Sequence, residues 1–336
     1  MKVLFIGGTG LISSACSELA VQQNLQLTIL NRSRSSKYPV PQGARLLVGD
    51  VHGNMESLTS LLKNEQFDVV VDWIAFNLED IERDIRLFQG KTGQFIYISS
   101  ASAYQKPPAH YLITEETPLE NPFWEYSRNK IACEARLMQE YRLNNFPVTI
   151  VRPSLTYGPS QIPLCGGSWQ HPYTVIDRML RGKEIIVPGD GTSLWTLTWN
   201  GDFAKGLIGL LGQSSAVGEA FHITSDEVLT WNQITLEAGR AAGVEPVIVH
   251  VPSDLIAAFN PSAVGDLIGD KINSSVFDNR KIKRFVPDFK CEVSWSEGVR
   301  RSLAWFTADP ARQTIDPAMN QTWDKILSAY ERAFPD

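Results

Sequence analysis

Apolar and polar positions along the chain alternate between two rhythms. Short runs dominated by apolar residues, at 3–6 (VLFI), 25–30 (LQLTIL), 45–48 (RLLV), 68–74 (DVVVDWI), 94–98 (QFIYI), 147–151 (PVTIV) and 220–224 (AFHIT), read as strands, several of them buried on both faces as in a parallel sheet. Between them lie helical stretches: one starting at Leu11, one over 78–88, one over 126–143 free of Gly and Pro, and one over 201–211. Strands alternating with helices predict an α/β fold built on a doubly wound parallel sheet. Further on, 173–180 reads as a helix and 184–188 as a small strand, and 231–243, 248–252 and 276–306 belong to a smaller C-terminal α/β lobe. The run 194–199 (LWTLTW) is expected to return to the main sheet. The predicted division is 1–160 plus about 194–226 for the first unit, about 161–193 plus 227–307 for the second, and 308–336 as a C-terminal tail ending in a surface helix.

The first strand breaks into Gly7-Gly8-Thr9-Gly10 and then into a helix beginning Leu11-Ile12-Ser13. Strand, glycine turn and helix N-terminus together present free backbone N–H groups to a pyrophosphate, as in a Rossmann fold. Gly7, Thr9, Gly10, Leu11 and Ile12 are therefore candidate cofactor residues. At the end of the second strand, where NAD-binding proteins usually carry an acidic residue for the adenosine ribose, this chain has Asn31-Arg32-Ser33-Arg34. Arg32 and Arg34 suit a 2′-phosphate, so NADP is favoured over NAD, with Asn31 alone serving the ribose in the NAD case. Tyr126 and Lys130, four apart on a helix, share a face, and an ammonium beside a phenol is expected to lower its pKa. That makes Tyr126 a candidate acid/base toward an alcohol or ketone. Ser100, at the carboxyl end of the 94–98 strand, sits where it can hydrogen-bond the same substrate oxygen.

With the glycine turn, the serine and the YxxxK pair in this order, the chain resembles the extended short-chain dehydrogenase/reductase family, in its NAD-dependent epimerase/dehydratase-like branch, from Met1 to about Phe306. The resemblance implies Tyr126 as catalytic acid/base, Lys130 as the partner that tunes it and holds the nicotinamide ribose, and Ser100 as the catalytic serine. It also places Asp50 and Val51 by the adenine ring, Ala75 in a cofactor-lining loop, and Pro153, in RPSLTYGP, where the chain passes from the nicotinamide to the substrate lobe. Tyr104, Ser102 and Trp195 are candidate substrate residues, and residues 107–122 form an irregular segment expected to be a mobile loop over the site. Two departures matter. Trp195 stands where nucleotide-sugar enzymes of this kind carry a diphosphate-clamping arginine, and is read equally as a stacking platform or a core aromatic. Ala101-Ser102 replaces the Asp-Glu pair of the sugar 4,6-dehydratases, which counts against dehydration.

The expected function is thus NAD(P)-dependent oxidoreductase or epimerase chemistry at a secondary alcohol or ketone of a sugar or nucleotide-sugar-like substrate. The alternative is an RNA-associated, weakly catalytic or non-catalytic protein, since the chain is also similar to the chloroplast stem-loop-binding branch, which lacks the same arginine. Composition narrows the choice. The 336 residues carry a formal net charge of −6, with 43% hydrophobic and 20% charged residues, a soluble globular balance without the basic footprint of a nucleic-acid binder. No apolar run approaches a membrane span of roughly 20 residues, and the apolar start is too short for a signal peptide. The four cysteines, Cys16, Cys133, Cys165 and Cys291, have no metal-ligand spacing and suit reduced thiols in the cytoplasm. A small-molecule substrate, no metal, no membrane partner and, from the resemblance, a homodimer complete the expectations.

Overall fold

A computed structural model describes residues 1–34 and 37–333. The last three residues of the expected tail, 334–336, lie outside the described residues. Seven parallel strands lie in the order Ala220–Ile223, Val148–Pro153, Thr92–Ile98, Phe67–Asp72, Lys2–Ile6, Gln26–Asn31 and Arg45–Val48. The order reverses beside Lys2–Ile6, which opens a crevice at the carboxyl ends of the strands.

The continuous apolar strands are explained by burial on both faces. Val3 and Phe5 pack with Ile29, Val69 and Val71 against the helices Ser13–Gln22 and Asn200–Leu210. Leu4 and Ile6 point the other way, with Val70, Phe95 and Tyr97, toward the helices Leu78–Phe88 and Glu125–Asn144. Each of these side chains in the first strand is at most 1% exposed, worth about 1.5–3 kcal/mol of transfer free energy apiece. The helix Leu78–Phe88 begins where Asn77 Oδ1 accepts from Asp80 N at 3.0 Å, with Glu79 and Asp80 in its first turn and Arg86 in its last.

A further core gathers the C-terminal elements. Tyr157, Trp195, Trp231, Trp295 and Val299 pack there, and the strands Ile185–Pro188 and Ile248–Val251 pair parallel beside them. The run 194–199 does not join the seven-stranded sheet. Leu194–Trp195 pairs antiparallel with Leu229–Thr230, and Leu197–Trp199 pairs parallel with Leu155–Tyr157. Its alternation is real, but its partners are short strands distant in sequence. The segment 107–122 is tied down as well: Leu112–Ile113 pairs with Val276–Phe277, and Leu119 bridges Tyr104.

The stretch after 308 forms the helix Pro317–Glu331, capped by Asp316, whose Oδ1 accepts from Met319 N at 3.0 Å. Trp323, Ile326 and Leu327 bury in the same core as Trp295. Replacing Trp323 by Ala is expected to destabilise this lobe by about 3–5 kcal/mol, read as a lower urea midpoint; an unchanged midpoint would show that the helix adds nothing to the core.

Candidate active site

A cleft of about 900 Å³ opens at the strand-order reversal. Gly7 and Gly8 turn there with φ of 101° and 87°, a region an L side chain rarely adopts. A Cβ on Gly7 would lie 3.2 Å from Trp73 Cβ, so this turn packs directly on the loop after the fourth strand. The helix that follows has no side-chain cap and no acid in its first turn. Leu11, Ile12 and Ser13 line the cleft, so this helix N-terminus lies at an anion's place, with Ser14 N bonded to Gly10 O at 3.0 Å. Ser13 Oγ accepts from Gly10 N at 2.8 Å, and Ser17 Oγ donates to Gly8 O at 2.8 Å, fixing the turn from both sides. A dinucleotide's pyrophosphate fits these donors.

At the end of the second strand, Asn31 Nδ2 donates to Thr9 Oγ1 at 3.2 Å and its Oδ1 accepts from Ser33 N at 2.8 Å. Asn31 thus braces the glycine turn. Arg32 and Arg34 are exposed at the cleft rim and have no ion pair or hydrogen bond among the described residues. Asp50 and Val51 lie on the same rim, Asp50 exposed with Oδ1 accepting from His52 N at 3.1 Å.

Tyr126, Ser100 and Lys130 come together across the cleft. The helix Glu125–Asn144 carries the first and third, and the end of Thr92–Ile98 delivers the second. Lys130 Nζ donates to Ala75 O at 2.7 Å and Ile98 O at 2.9 Å, with only 1% of the residue exposed. It lies 4.6 Å from the Phe76 ring centre and 5.8 Å from that of Tyr126. Ser100 Oγ shares a hydrogen bond of 2.9 Å with Ser102 Oγ, which accepts from Ser127 Oγ at 2.8 Å. Pro153 also lines the cleft.

Some expected residues stand elsewhere. Tyr104 is fully buried behind the cleft, its hydroxyl 3.0 Å from His222 Nδ1 and its ring 4.8 Å from the Arg152 guanidinium, so it is core and not a substrate contact. Ala75 is buried under the cleft wall and contributes its carbonyl, whereas Trp73, Ile74 and Phe76 line the wall. Trp195 is 2% exposed and stacked on Trp231 at 5.5 Å, a core aromatic with one edge at the cleft. The electrostatics of Tyr126 also differ from the expectation. Burial raises its pKa, Asp270 adds to the rise, and the Ser100 hydroxyl opposes it. The Lys130 ammonium, held by two backbone carbonyls, is not among the causes of this shift.

Residues 84–224 match the model of the NAD dependent epimerase/dehydratase family. This region carries that family's domain, and the chain as a whole is similar to proteins of this kind. Among its relatives is the chloroplast stem-loop binding protein of 41 kDa b from Arabidopsis thaliana, 28% identical over 74% of this chain and 65% of that protein, so the match spans somewhat under two thirds of the relative's length. The UDP-N-acetyl-alpha-D-glucosaminuronate decarboxylase of Bacillus cytotoxicus is 24% identical over 91% of this chain and 97% of its own. In fold, the chain is similar to an epimerase from Methanothermobacter thermautotrophicus, with a TM-score of 0.73 and 19% identity, covering 97% of this chain and 94% of that one. The UDP-glucuronic acid 4-epimerase of Bacillus cereus, solved with UDP-glucuronic acid and NAD, gives 0.72 at 18% identity, covering 92% and 99%.

Within this epimerase/dehydratase scaffold, several site residues escaped the sequence reading. Asp72, ending the fourth strand, accepts from Ile74 N at 2.6 Å and Ala75 N at 2.8 Å and pairs with Arg83 at 3.0 Å. It shapes the loop that Lys130 holds; an acid directly after VVV was its only sequence signal. Lys106, Asp266, Asp270 and Lys271 also line the cleft. A second hollow of about 770 Å³, on the C-terminal lobe, has its buried cation Arg178 already paired with Asp324 at 2.8 Å and bonded to Asn320 and Glu184.

Burial pushes the Lys130 amine down to about 8, against the pull of Cys133, Asp72, Glu134 and Asp80. It is charged below that pH and neutral above, whereas an unfolded lysine keeps its proton to about 10.4. Between the two values the unfolded chain binds more protons, so this group makes stability rise with pH across that window and lowers it at more acid pH. With ε-13C-labelled lysine, one resonance absent from Lys130→Met is expected to titrate near 8; titration at the ordinary value of about 10.4 would contradict the burial.

Proposed function

We propose that the protein is an NADP-preferring oxidoreductase or epimerase acting at a secondary alcohol or ketone of a sugar-like substrate. The observation that carries this reading is the convergence of Tyr126, Ser100 and Lys130 on one cleft that also holds the glycine turn and an uncapped helix N-terminus. The family match supports it, and the chain's acidic balance of −6 supports an enzyme over an RNA-associated protein.

Gly7 to Ser13 would hold the cofactor pyrophosphate, and Asn31 the adenosine ribose. Arg32 and Arg34, unpaired among the described residues, favour a 2′-phosphate through charge-assisted hydrogen bonds. When bound, the nicotinamide would supply hydride chemistry at the carbinol carbon. Tyr126 takes the carbinol proton during oxidation and gives it back during reduction; its raised pKa in the free cleft keeps it a loaded acid, suited to the reductive step. Ser100 donates to the same substrate oxygen and so holds the carbonyl at the phenol. Lys130 fixes the loop around Ala75 beneath them and supplies positive charge as the phenol loses its proton. Return of the hydride to the opposite face gives epimerisation; release of the intermediate gives net oxidation or reduction. Pairing through the Tyr126 helix into a homodimer remains part of this proposal.

Two results are expected. Tyr126→Phe retains NADPH binding and loses about 10²–10⁴-fold in hydride transfer, followed by absorbance of the reduced cofactor; an active variant would remove the acid/base role. Arg32→Ala with Arg34→Ala weakens NADPH by about tenfold or more, one charge-assisted contact being worth about 1.5–3 kcal/mol, and leaves NADH unchanged. Equal affinities for the two cofactors in the wild type would remove the phosphate preference.

A further inference from the structure

Beside Tyr126, part of the cleft wall is a π-helix, Val264–Lys271. Such wide turns are rare and gather at functional sites. Two glycines seat it. A Cβ on Gly265 would come 2.4 Å from Trp124 Cδ1, and one on Gly269 would come 2.9 Å from Phe123 Cβ. The turn therefore lies flat on the residues that lead into the Tyr126 helix. Asn121 locks it there, donating to Gly269 O at 2.8 Å and Ser102 O at 2.9 Å.

The wall presents alternating charge. Lys271 pairs with Asp266 at 3.1 Å, and Lys106, 3% exposed, pairs with Asp270 at 3.0 Å and bonds Ser275 Oγ at 3.1 Å. Behind it, Trp195 Nε1 is buried with no hydrogen-bond partner in the protein among the described residues, although a buried indole N–H ordinarily has one. The Asp270 charge reaches Tyr126, whose pKa it raises.

We propose that this π-helix is the substrate-recognition wall, and that the Lys106–Asp270 pair selects a neutral, hydroxyl-rich ring over one bearing a carboxylate. The proposal rests on the oxidoreductase reading and deepens it. A substrate hydroxyl uses both members of the pair, donating to Asp270 and accepting from Lys106. A ring carboxylate finds Lys106 already neutralised and meets Asp270 as a like charge, with Asp266 beyond it. An unpaired cation, which would favour an acidic ring, is missing from this wall among the described residues.

The test begins with NADPH titrated into the full chain, and the loaded protein is then titrated calorimetrically with glucose, glucuronate, UDP-glucose and UDP-glucuronate. The neutral member of a pair is expected to bind at least about tenfold more tightly than its acid. Asp270→Asn is expected to bring the two close together without changing NADPH affinity. The wild-type ratio decides by itself should that variant fail to bind NADPH. Equal or tighter binding of the acid, an Asp270→Asn protein that keeps the preference, or saturation by none of the four sugars each overturn the proposal alone. Failure of both NADPH and NADH to bind the wild type would overturn the oxidoreductase reading and the proposal with it.

Discussion

A lysine ammonium held between two backbone carbonyls organises the site. Lys130 reaches Ala75 O and Ile98 O, at the ends of adjacent strands of the sheet, from the helix that also carries Tyr126. Burying that charge is costly, and the two carbonyl dipoles with nearby carboxylates offset only part of the cost, so the amine sits at about 8. The gain is rigidity, because helix and both strand ends share one donor. Asp72 braces the same loop through two backbone N–H groups, and Arg83 satisfies Asp72, Asp80 and Asp84 in turn. One helical turn beyond Lys130, Glu134 pairs with Arg152 at 2.6 Å and accepts from Ser99, the neighbour of Ser100. Tyr126 and Ser100 are thereby set by buried polar contacts rather than by loops.

The cleft divides electrostatically along its length. One of its ends offers the uncapped first turn of Ser13–Gln22 and the exposed Arg32 and Arg34, with Asp50 as the carboxylate on the same rim. Its other end is charge-balanced, each lysine matched by a carboxylate. A protein of net charge −6 thus sets two exposed arginines at one end of the cleft and carboxylate-paired lysines at the other.

Much of the sheet and its helices could be read from residues alone. The strand over 45–48, at the sheet edge, and the amphipathic helix over 78–88 fall where the pattern puts them. The glycine turn, Ser100, Tyr126 and Lys130 were legible because backbone geometry and helical spacing dictate them. What stayed hidden depends on distant partners. Residues 194–199 look like sheet but pair with 155–157 and 229–230. Tyr104 looks like a site residue beside its serines, yet Arg152 and His222 claim it. The π-helix has no periodic signature, and only its contact with Phe123 and Trp124 explains Gly265 and Gly269. The direction of the Tyr126 shift was missed for a related reason: spacing shows that an ammonium is near, not that the phenol is buried.

The most direct measurement is a crystal structure of the full chain grown with NADPH. The pyrophosphate should lie on the first turn of Ser13–Gln22, with the Tyr126 and Ser100 hydroxyls facing the nicotinamide and Lys130 still bonded to Ala75 O. A nicotinamide lying away from Tyr126, or a phenol turned into the protein, would contradict the arrangement on which all the chemistry rests.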